Sequence, residues 1–380
     1  MPTPTLERSY AANFIAAIRA AIRAGYKAEG RNTRTSRGER SALRVACDQF
    51  AIPRGSMHSH LAACERALGI TFDWQEGEGP AFTTAKLPSA DAPVEELIER
   101  RKKQFARKNS AADARSLIPV KINIDGPIGI VHFGDPHIDD DGTDIALLER
   151  HIEIIKTTPG MFGANVGDLQ NNWVGRLAFL WSQQSTSAAE SWQLTEWLVR
   201  AIPWLYLIRG NHDLWSGEGD PIKWMMQGAE TVTDAWGARL ELQFPNGKKI
   251  RINARHDFSG HSMWNTAHGP AKAVQMGWRD HILTCGHKHI SGYQVLKDPA
   301  TGLVSHAIRV GSYKIHDRYA AEQGLPNQNI FPAAVTIIDP AHDDDDPRLI
   351  TTLFDVARGA EFLTYLRRGH VKAHRHPAKG

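Results

Sequence analysis

The sequence has few cysteines and no long apolar run. Its three cysteines, Cys47, Cys64 and Cys285, are odd in number and form no Cys-x-x-Cys pair, so we expect reduced, structural thiols. No apolar stretch approaches the roughly 18 residues that a transmembrane helix needs. The start, Met1-Pro-Thr-Pro, lacks the charged and then apolar pattern of a signal peptide. These absences predict a cytoplasmic protein with no membrane partner.

The net charge is small, at +3, but it is unevenly distributed. Residues 1–117 contain 19 Lys and Arg against 13 Asp and Glu, whereas the remaining residues contain 26 against 29. Hydrophobic residues at 42% and charged residues at 23% are ordinary for a globular protein that buries a sizeable core. A length of 380 residues favours one large domain and a smaller one. The basic part is the front of the chain.

The front of the chain, residues 1–87, has the pattern of a small helical domain. Residues 9–24 predict an amphipathic helix that ends at Gly25. Residues 41–50 and 56–68 predict two shorter helices, separated by an Ile-Pro-x-Gly break. This spacing resembles a helix-turn-helix, and the segments 70–74 and 81–85 could form a hairpin wing after it.

The second helix of this pair would carry four side chains toward DNA: Arg54, His58, His60 and Arg66. Arg54 and Arg66 are therefore candidate substrate-binding residues. The alternative is a helical packing module with no ligand, because a fold pattern does not by itself define a function. The sequence leaves both interpretations open.

Residues 88–117 predict a linker and then a charged helix. Pro88 to Pro93 has linker composition, and Val94 to Lys108 runs from acidic to basic, which suits the dipole of a solvent-exposed helix. Residues 118–366 would then form the main domain, and residues 367–380 a basic, disordered tail.

Beyond Ile118, apolar strands alternate with helices, which predicts an α/β fold. Five predicted strands are followed by polar residues, in order Asp135 and His137, then Asp168, then Asn211, His212 and Asp213, then His256, and finally His287 and His289. Any one of these motifs alone could be a turn Asp or a surface His. Because open α/β sheets place their sites at the carboxyl ends of strands, we expect the ordered series to share one crevice.

The fourth of these strand ends is ambiguous, because His261 and His268 lie close to His256 in the sequence. His256 is preferred since it ends a strand, as the other residues of the series do. Collected, the polar residues offer nitrogen and oxygen donors for two divalent ions, with no thiolate among them. Mn²⁺ is the first candidate for both ions, and Fe, Zn or Mg are alternatives.

These motifs resemble those of the calcineurin-like metallophosphoesterase superfamily, over residues 127 to 315 or so. The resemblance is carried by Asp135-x-His137, Gly167-Asp168, Gly210-Asn-His-Asp213, His256 and Gly286-His-x-His289. It implies two packed mixed β-sheets flanked by helices, which would make residues 118–366 the metallophosphoesterase domain. It also implies a ligand set, with Asp135, His137 and His289 on one metal, Asn211, His256 and His287 on the other, and Asp168 between them.

The implied activity is hydrolysis of a phosphoric ester by a hydroxide that bridges the two ions. His212 would contact the phosphoryl oxygen or protonate the leaving alkoxide, and Asp213 would orient His212. After Asp168 the chain reads Leu-Gln-Asn-Asn instead of the Asp-Arg of the protein phosphatase branch, which disfavours a phosphoprotein substrate. The DNA-repair nuclease branch, with its virus-encoded relatives, is nearest in type.

Three functional hypotheses follow. The leading one is a two-metal nuclease acting on DNA, because the motif series is joined to a basic front domain. The second is a hydrolase of small phosphodiesters or nucleotides, whose front domain caps the site or forms homo-oligomers. The third is a non-catalytic DNA-binding or assembly protein whose metal site is structural.

Tryptophan is concentrated in one part of the chain. Eight of the eleven lie between 173 and 236, namely Trp173, Trp181, Trp192, Trp197, Trp204, Trp215, Trp224 and Trp236. Their spacing favours core packing over a base-stacking role. Trp215, which follows the Gly-Asn-His-Asp motif, is kept as a candidate for substrate contact.

Overall fold

The structure is a computed structural model in which the described residues fall into several ranges. They are 6–28, 40–74, 84, 85, 87, 89–215, 219–317, 321, 322, 324, 326, 327 and 330–375, with only the backbone for 372–375. The chain divides into two compact units, Met1–Leu97 and Ile98–Gly380. The first segment of the predicted hairpin wing, residues 70–74, forms no strand, and residues 75–83 lie outside the described residues.

In its described part, the first unit contains three α-helices around a small apolar core. They are α1 (Arg8–Arg23), α2 (Ala42–Gln49) and α3 (Met57–Leu68). Phe14 and Ile18 of α1 pack with Leu43 of α2 and Leu61 of α3, and all four side chains are buried. Burial of these apolar faces stabilises the three short helices, whose stability would be marginal in isolation.

His60 differs from its predicted role. Its ring lies 4.9 Å from that of Phe14 and 5.7 Å from that of Tyr10, in edge-to-face arrangements. Burial also lowers the pKa of His60, so the neutral ring is favoured. His60 therefore belongs to the packing of this unit, whereas Arg54, His58 and Arg66 are exposed.

A long helix, α4 (Val94–Arg115), follows. It begins where the charge pattern predicts and continues past Lys108, and none of its residues is buried. Acidic residues occupy its first turn and Arg115 its last, as the helix dipole favours.

Among the residues that the structure describes, twelve strands form two mixed sheets of six. They are β1 (Ile118–Lys121), β2 (Ile128–Phe133), β3 (Met161–Asn165), β4 (Trp204–Arg209), β5 (Val232–Ala235), β6 (Gly237–Gln243), β7 (Lys249–Arg255), β8 (Ile282–Cys285), β9 (Gly292–Lys297), β10 (Val304–Arg309), β11 (Ala333–Ile338) and β12 (Ile350–Leu353). The first sheet has the order β1-β6-β7-β8-β10-β9 and the second β12-β11-β2-β3-β4-β5. The predicted fold class is confirmed.

The other α-helices whose bounds lie within the described residues flank the sheets. They are α5 (Ile145–Thr157), α6 (Ala188–Ala201), α7 (Asn211–Leu214), α8 (Pro221–Met225), α9 (His268–Gln275) and α10 (Val356–Arg375). Ile130 and Ile208 of the second sheet pack with Leu240 and Ile252 of the first in one buried core. On the outer side, Val131 and Phe133 pack with residues of α5, α6 and α10. β2 is therefore buried on both faces, which explains its unbroken apolar run.

Parallel pairing brings the strand ends together. β2, β3, β4 and β5 run parallel in the second sheet, and β7, β8 and β10 run parallel in the first. The carboxyl ends of neighbouring parallel strands lie at the same edge of a sheet. This pairing brings together the polar residues that follow β2, β3 and β4 in the second sheet, and those that follow β7 and β8 in the first.

Two predictions, one from composition and one from spacing, are wrong, the second of them for three of the eight tryptophans. Residues 367–375, assigned to a disordered tail, continue α10, where Arg367 Nη1 donates to the carbonyl of Pro127 at 2.6 Å. Trp197, Trp224 and Trp236 are 41%, 63% and 54% exposed, so core packing does not account for them.

No helix among the described residues is long and apolar enough to cross a membrane. Cytoplasmic location and oligomeric state remain predictions.

Three buried histidines make the stability of the second unit depend on pH. Burial lowers the pKa of His132 to about 3 and those of His151 and His306 to about 4. The unfolded chain takes up these protons near pH 6.5 and the folded chain does not, so stability is full above pH 6.5 and falls as the pH decreases. Each histidine should lower the free energy of unfolding by about 2 kcal/mol when the pH is lowered from 7 to 5.

His151→Gln tests this expectation. Glutamine can still bond the hydroxyl of Tyr313, which lies 2.7 Å from His151 Nδ1, but it does not titrate. Denaturant unfolding at pH 7 and pH 5 should show that the variant loses about 2 kcal/mol less than the wild type. Equal losses would contradict the assignment.

Candidate metal centre

The strand ends bring seven of the predicted site residues into three groups, each able to hold an ion. Within each group the ligand atoms lie within 4.8 Å of one another. The groups are Asp135, His137 and His289; His137, Asp168 and His212; and Asp168, His256 and His287. His137 and Asp168 each belong to two of the three groups, so Asp168 connects the group that contains His212 with the group that contains His256.

The first group joins the ends of β2 and β8. His289 Nε2 lies 3.2 Å from His137 Nε2 and 3.3 Å from Asp135 Oδ2. Asp135 Oδ2 also accepts the backbone N–H of His287 at 2.7 Å, which fixes the loop after β8 against the loop after β2.

The third group centres on His256 Nε2, just after the end of β7. It lies 2.9 Å from Asn211 Oδ1, 2.9 Å from His287 Nδ1 and 3.2 Å from Asp168 Oδ2. A single N–H group cannot point at three acceptors at once. A cation placed among these atoms can take a lone pair from each of them, which is the arrangement that divalent metals need.

Two residues of the first group also have buried polar atoms without a partner among the described residues. Asp135 Oδ1 and His137 Nδ1 are buried and have no hydrogen-bond partner within the described part of the chain. Such unpartnered buried atoms are costly and demand an explanation. The oxygen and imidazole donors suit Mn, Fe or Zn, so the residues fit the divalent ions that the sequence predicts.

Four of these residues have strained backbone. Seven non-glycine residues of the described chain have positive φ, and four of them belong to the groups above: His137, Asp168, His287 and His289. Conformations of this kind cost of order 1–3 kcal/mol each and cluster at functional sites. The rest of the fold stabilises these conformations, in which all four side chains contribute to the ion-binding groups.

Two glycines allow the carboxylates of Asp168 and Asp135 to lie close to the backbone. A Cβ on Gly210 would overlap the carboxylate of Asp168, and a Cβ on Gly286 would overlap that of Asp135. The glycines of the Gly-Asn-His-Asp and Gly-His-x-His motifs are therefore required by packing against the carboxylates, in addition to any role in the turns.

The electrostatics of the site are dominated by burial and by Asp168. Burial and the neighbouring imidazoles hold the pKa of His137 well below its ordinary value, so its ring is neutral. Burial opposes protonation of His256 too, but the hydrogen bond and charge of Asp168 outweigh it and raise the pKa of His256 to about 10. In the protein without ions, that proton occupies the position of a cation.

His212 and Asp213, the predicted catalytic residues, have separate partners. His212 Nδ1 lies 2.5 Å from the carbonyl oxygen of Asn171, and its Nε2 lies 4.0 Å from Asp168 Oδ2. Asp213 accepts main-chain N–H groups from Asp168, Leu169 and Gly210 at 2.8–2.9 Å.

The predicted orientation of His212 by Asp213 is therefore wrong. A carbonyl oxygen accepts only, so the contact with Asn171 places a proton on Nδ1 and leaves Nε2 directed to the site. Asp213 instead holds the loop that carries Asp168. Burial and the charge of Asp168 raise the pKa of Asp213 to about 7.

The other candidates have distinct positions. The Trp215 ring centroid lies 4.0 Å from that of His212, at the edge of the site. His261 is exposed and His268 begins α9, and neither is in the ion-binding groups found among the described residues. Arg54 and Arg66 belong to the first unit, and their predicted contact with DNA remains a prediction.

Lys314 was missed by the sequence analysis. It is 4% exposed, and its ammonium lies 2.9 Å from Asp140 Oδ2, 3.1 Å from Asp317 Oδ1 and 5.6 Å from the centroid of the Trp173 ring. Trp173 in turn lies edge-to-face with His212, at 5.4 Å. Lys314 follows β10, so the rule applied to the other strand ends would have found it.

The chain is similar to known proteins in its fold only. No protein-family model matches the chain, and no curated protein matches it. Three solved structures to which it is similar are Vacuolar Protein Sorting 29 from Cryptosporidium parvum (11% identity, TM-score 0.33, 60% of this chain and 97% of that one), the calcineurin-like phosphoesterase YfkN from Bacillus subtilis (10%, 0.32, 64% and 99%) and the nuclease MPE from Pseudomonas putida (13%, 0.29, 59% and 87%). At these values they carry no argument about activity, so the proposal below depends on the side chains.

Proposed function

We propose that this protein is a divalent-cation-dependent phosphodiesterase that hydrolyses nucleic acid, with DNA as the first candidate. The observation that carries the proposal is Asp168, whose carboxylate belongs to one ion-binding group with His256 and His287 and to another with His137 and His212. The Nε2 of His212 lies 4.0 Å from Asp168 Oδ2. Structural metal sites have closed ligand shells and do not need an additional polar side chain beside them. An imidazole beside two ion positions has a use in catalysis.

The ligands divide between the two positions as follows. Asp135, His137 and His289 would hold one ion and Asn211, His256 and His287 the other, with Asp168 shared. When bound, two divalent cations neutralise the charge of a phosphodiester and act as Lewis acids on its oxygens. Mn²⁺ is the ion we propose to test first.

In its doubly protonated form, with a proton on each ring nitrogen, His212 would supply from Nε2 the proton that a leaving alkoxide needs. The carbonyl of Asn171 fixes one ring nitrogen, so the opposite nitrogen is held toward the site with little freedom to rotate. A proton donor in a fixed position contributes about 10²- to 10⁴-fold to rate. The Trp173 ring lies edge-to-face with the His212 ring at 5.4 Å, and the Trp215 ring lies 4.0 Å from it.

The first unit would assist by holding the polymer. Arg54 and Arg66 are exposed on α3 and the turn before it, where they can contact phosphates. This role requires a polymeric substrate, and binding should then weaken steeply as salt is raised.

Cleavage of end-labelled single- and double-stranded DNA tests the proposal, in parallel with a small chromogenic phosphodiester. The metal-free protein should be inactive, Mn²⁺ should restore cleavage of both substrate classes, and a chelator should abolish it. Cleavage of the small diester alone would retain the phosphodiesterase and remove the nucleic acid. Failure to cleave either with Mn²⁺, Fe²⁺, Zn²⁺ or Mg²⁺ would refute the proposal.

A further inference from the structure

The outer face of β6 and β7 carries arginines and tryptophan beside the candidate metal centre. The inward residues of these strands, such as Leu240 and Ile252, are fully buried in the core. The outward residues include Arg239, Arg251 and Arg255, which are half-buried. The strands pair antiparallel, with Gly237 opposite Arg255 and Glu241 opposite Arg251, so the cations lie along one surface.

Trp278 lies between two of these arginines. The guanidinium carbons of Arg239 and Arg255 lie 5.3 Å and 5.1 Å from the centroid of its ring, within the range of cation–π contacts. The indole is 40% exposed. An exposed indole between cations is the combination that single-stranded nucleic acids recognise, because bases stack on the ring and phosphates pair with the guanidinium groups.

The charge on this face is only partly neutralised. The buried carboxylate of Asp280 accepts from Arg239 at 2.7 and 2.8 Å and from Arg251 at 3.0 Å, so one acid serves two cations. Arg255 donates to the neutral Asn253 Oδ1 at 3.1 Å and lies 5.8 Å from the centroid of the Phe258 ring, and within the described part of the chain it forms no ion pair with a carboxylate. Arg255 therefore remains available to an external anion.

Trp236 connects this face to the site. Its backbone N–H donates to the carbonyl of Arg209 at 3.0 Å, and its carbonyl accepts from the N–H of His256 at 2.9 Å. Its φ is 64°, a conformation that tryptophan rarely adopts, and its side chain is 54% exposed. A strained backbone that presents an exposed aromatic ring beside a candidate ligand indicates a binding role.

We propose that Trp236, Arg255, Trp278, Arg239 and Arg251 form a track that binds single-stranded nucleic acid and leads it to the candidate metal centre. Bases stack on the two indoles, and phosphates pair with the arginines. The inference rests on the proposed function and adds the path of the substrate to it. A duplex, whose bases already stack on each other, offers only its phosphates to this surface.

Trp236→Gly and Arg255→Gln test the track in the full-length protein. Glycine is favoured at a positive φ, so Trp236→Gly removes the ring without straining the backbone. Binding of fluorescent dT₂₀ and rU₂₀ is measured by anisotropy in chelator, so that no cleavage occurs. Trp236→Gly should raise Kd about tenfold, and Arg255→Gln should reduce the slope of log Kd against log salt by about 0.7.

Trp224→Ala and Arg358→Gln are matched controls. Trp224 is 63% exposed on α8, and the Arg358 side chain is 72% exposed on α10, so each loses the same chemical group at another surface. The controls should bind as the wild type does. The dT₂₀ and rU₂₀ results show whether the track distinguishes DNA from RNA.

The inference is overturned if Trp236→Gly and Arg255→Gln bind like the controls, or if an abasic oligonucleotide or polyglutamate of equal charge binds as tightly as dT₂₀. Equally tight binding of polyglutamate would indicate an acidic protein partner instead. Hydrolysis of the small diester by the wild type is measured separately. If that hydrolysis is absent while both variants lose binding, the phosphodiesterase proposal fails and the track stands as a binding surface.

Discussion

Asp168→Asn should lower kcat/KM by on the order of 10³-fold for both the small diester and DNA, which corresponds to about 4 kcal/mol. Asp168 Oδ1 accepts the N–H of His212 at 3.0 Å, and an amide oxygen can keep that bond. The other oxygen faces His256 at 3.2 Å and would become an NH₂ group, which cannot coordinate a cation. The loop should therefore stay in place while both ion positions lose their shared ligand.

Asp144→Asn is the control for this variant. Asp144 caps α5 by accepting the N–H of Leu147 at 2.9 Å, and asparagine caps a helix equally well. The chemical change is the same, but Asp144 is in none of the ion-binding groups found among the described residues. Steady-state kinetics at saturating Mn²⁺ should separate the two. Activity of Asp168→Asn within threefold of Asp144→Asn would contradict the shared-ligand assignment.

His212→Asn should produce a loss that depends on the leaving group. With DNA, whose leaving alkoxide needs a proton, kcat should fall by about 10²- to 10⁴-fold. With a nitrophenyl diester, whose leaving group is stable as an anion, the fall should be about tenfold or less. The reason is that His212 presents Nε2 to the site while Asn171 holds its other nitrogen.

Comparison of the two substrates distinguishes this role from ion binding, since His212 also lies in one of the ion-binding groups. A residue that only held an ion would reduce both reactions equally, and more Mn²⁺ would restore them. His261→Asn provides the control, because His261 is exposed and outside those groups. An equal loss for both leaving groups would contradict the proton-donor role.

The strand ends could be predicted because they are a local pattern. A buried strand has an apolar run, and the polar residue after it is visible without knowledge of the fold. Parallel pairing of β2, β3 and β4 then brings these residues together, as the sequence analysis expects for an α/β sheet. The two mixed sheets, implied by the resemblance, are confirmed.

Other features depend on contacts between distant segments and could not be predicted. The partners of Asp213 are backbone groups of Asp168 and Leu169, and a sequence does not show the direction of an N–H group. The extension of α10 follows from contacts such as that between Arg367 and Pro127, which are 240 positions apart. His60 packs against Phe14 for the same kind of reason, as its partner lies on another helix.

Tryptophan illustrates the limit of periodicity. Trp204 is buried in β4, at 4% exposure, whereas Trp236 is 54% exposed. Helical or strand spacing indicates which residues share a face, but whether another element covers that face is a tertiary property. The left-handed backbone of Trp236, His137 and Asp168 is likewise imposed by the assembled loops.

Anomalous diffraction from crystals grown with Mn²⁺ tests the central claim most directly. Two peaks should lie on either side of the Asp168 carboxylate, one beside His137 and His289 and the other beside His256 and His287. Loss of both peaks in Asp168→Asn would support the shared ligand. A single peak that does not touch Asp168, or no peak at a Mn²⁺ concentration that supports hydrolysis, would contradict the account.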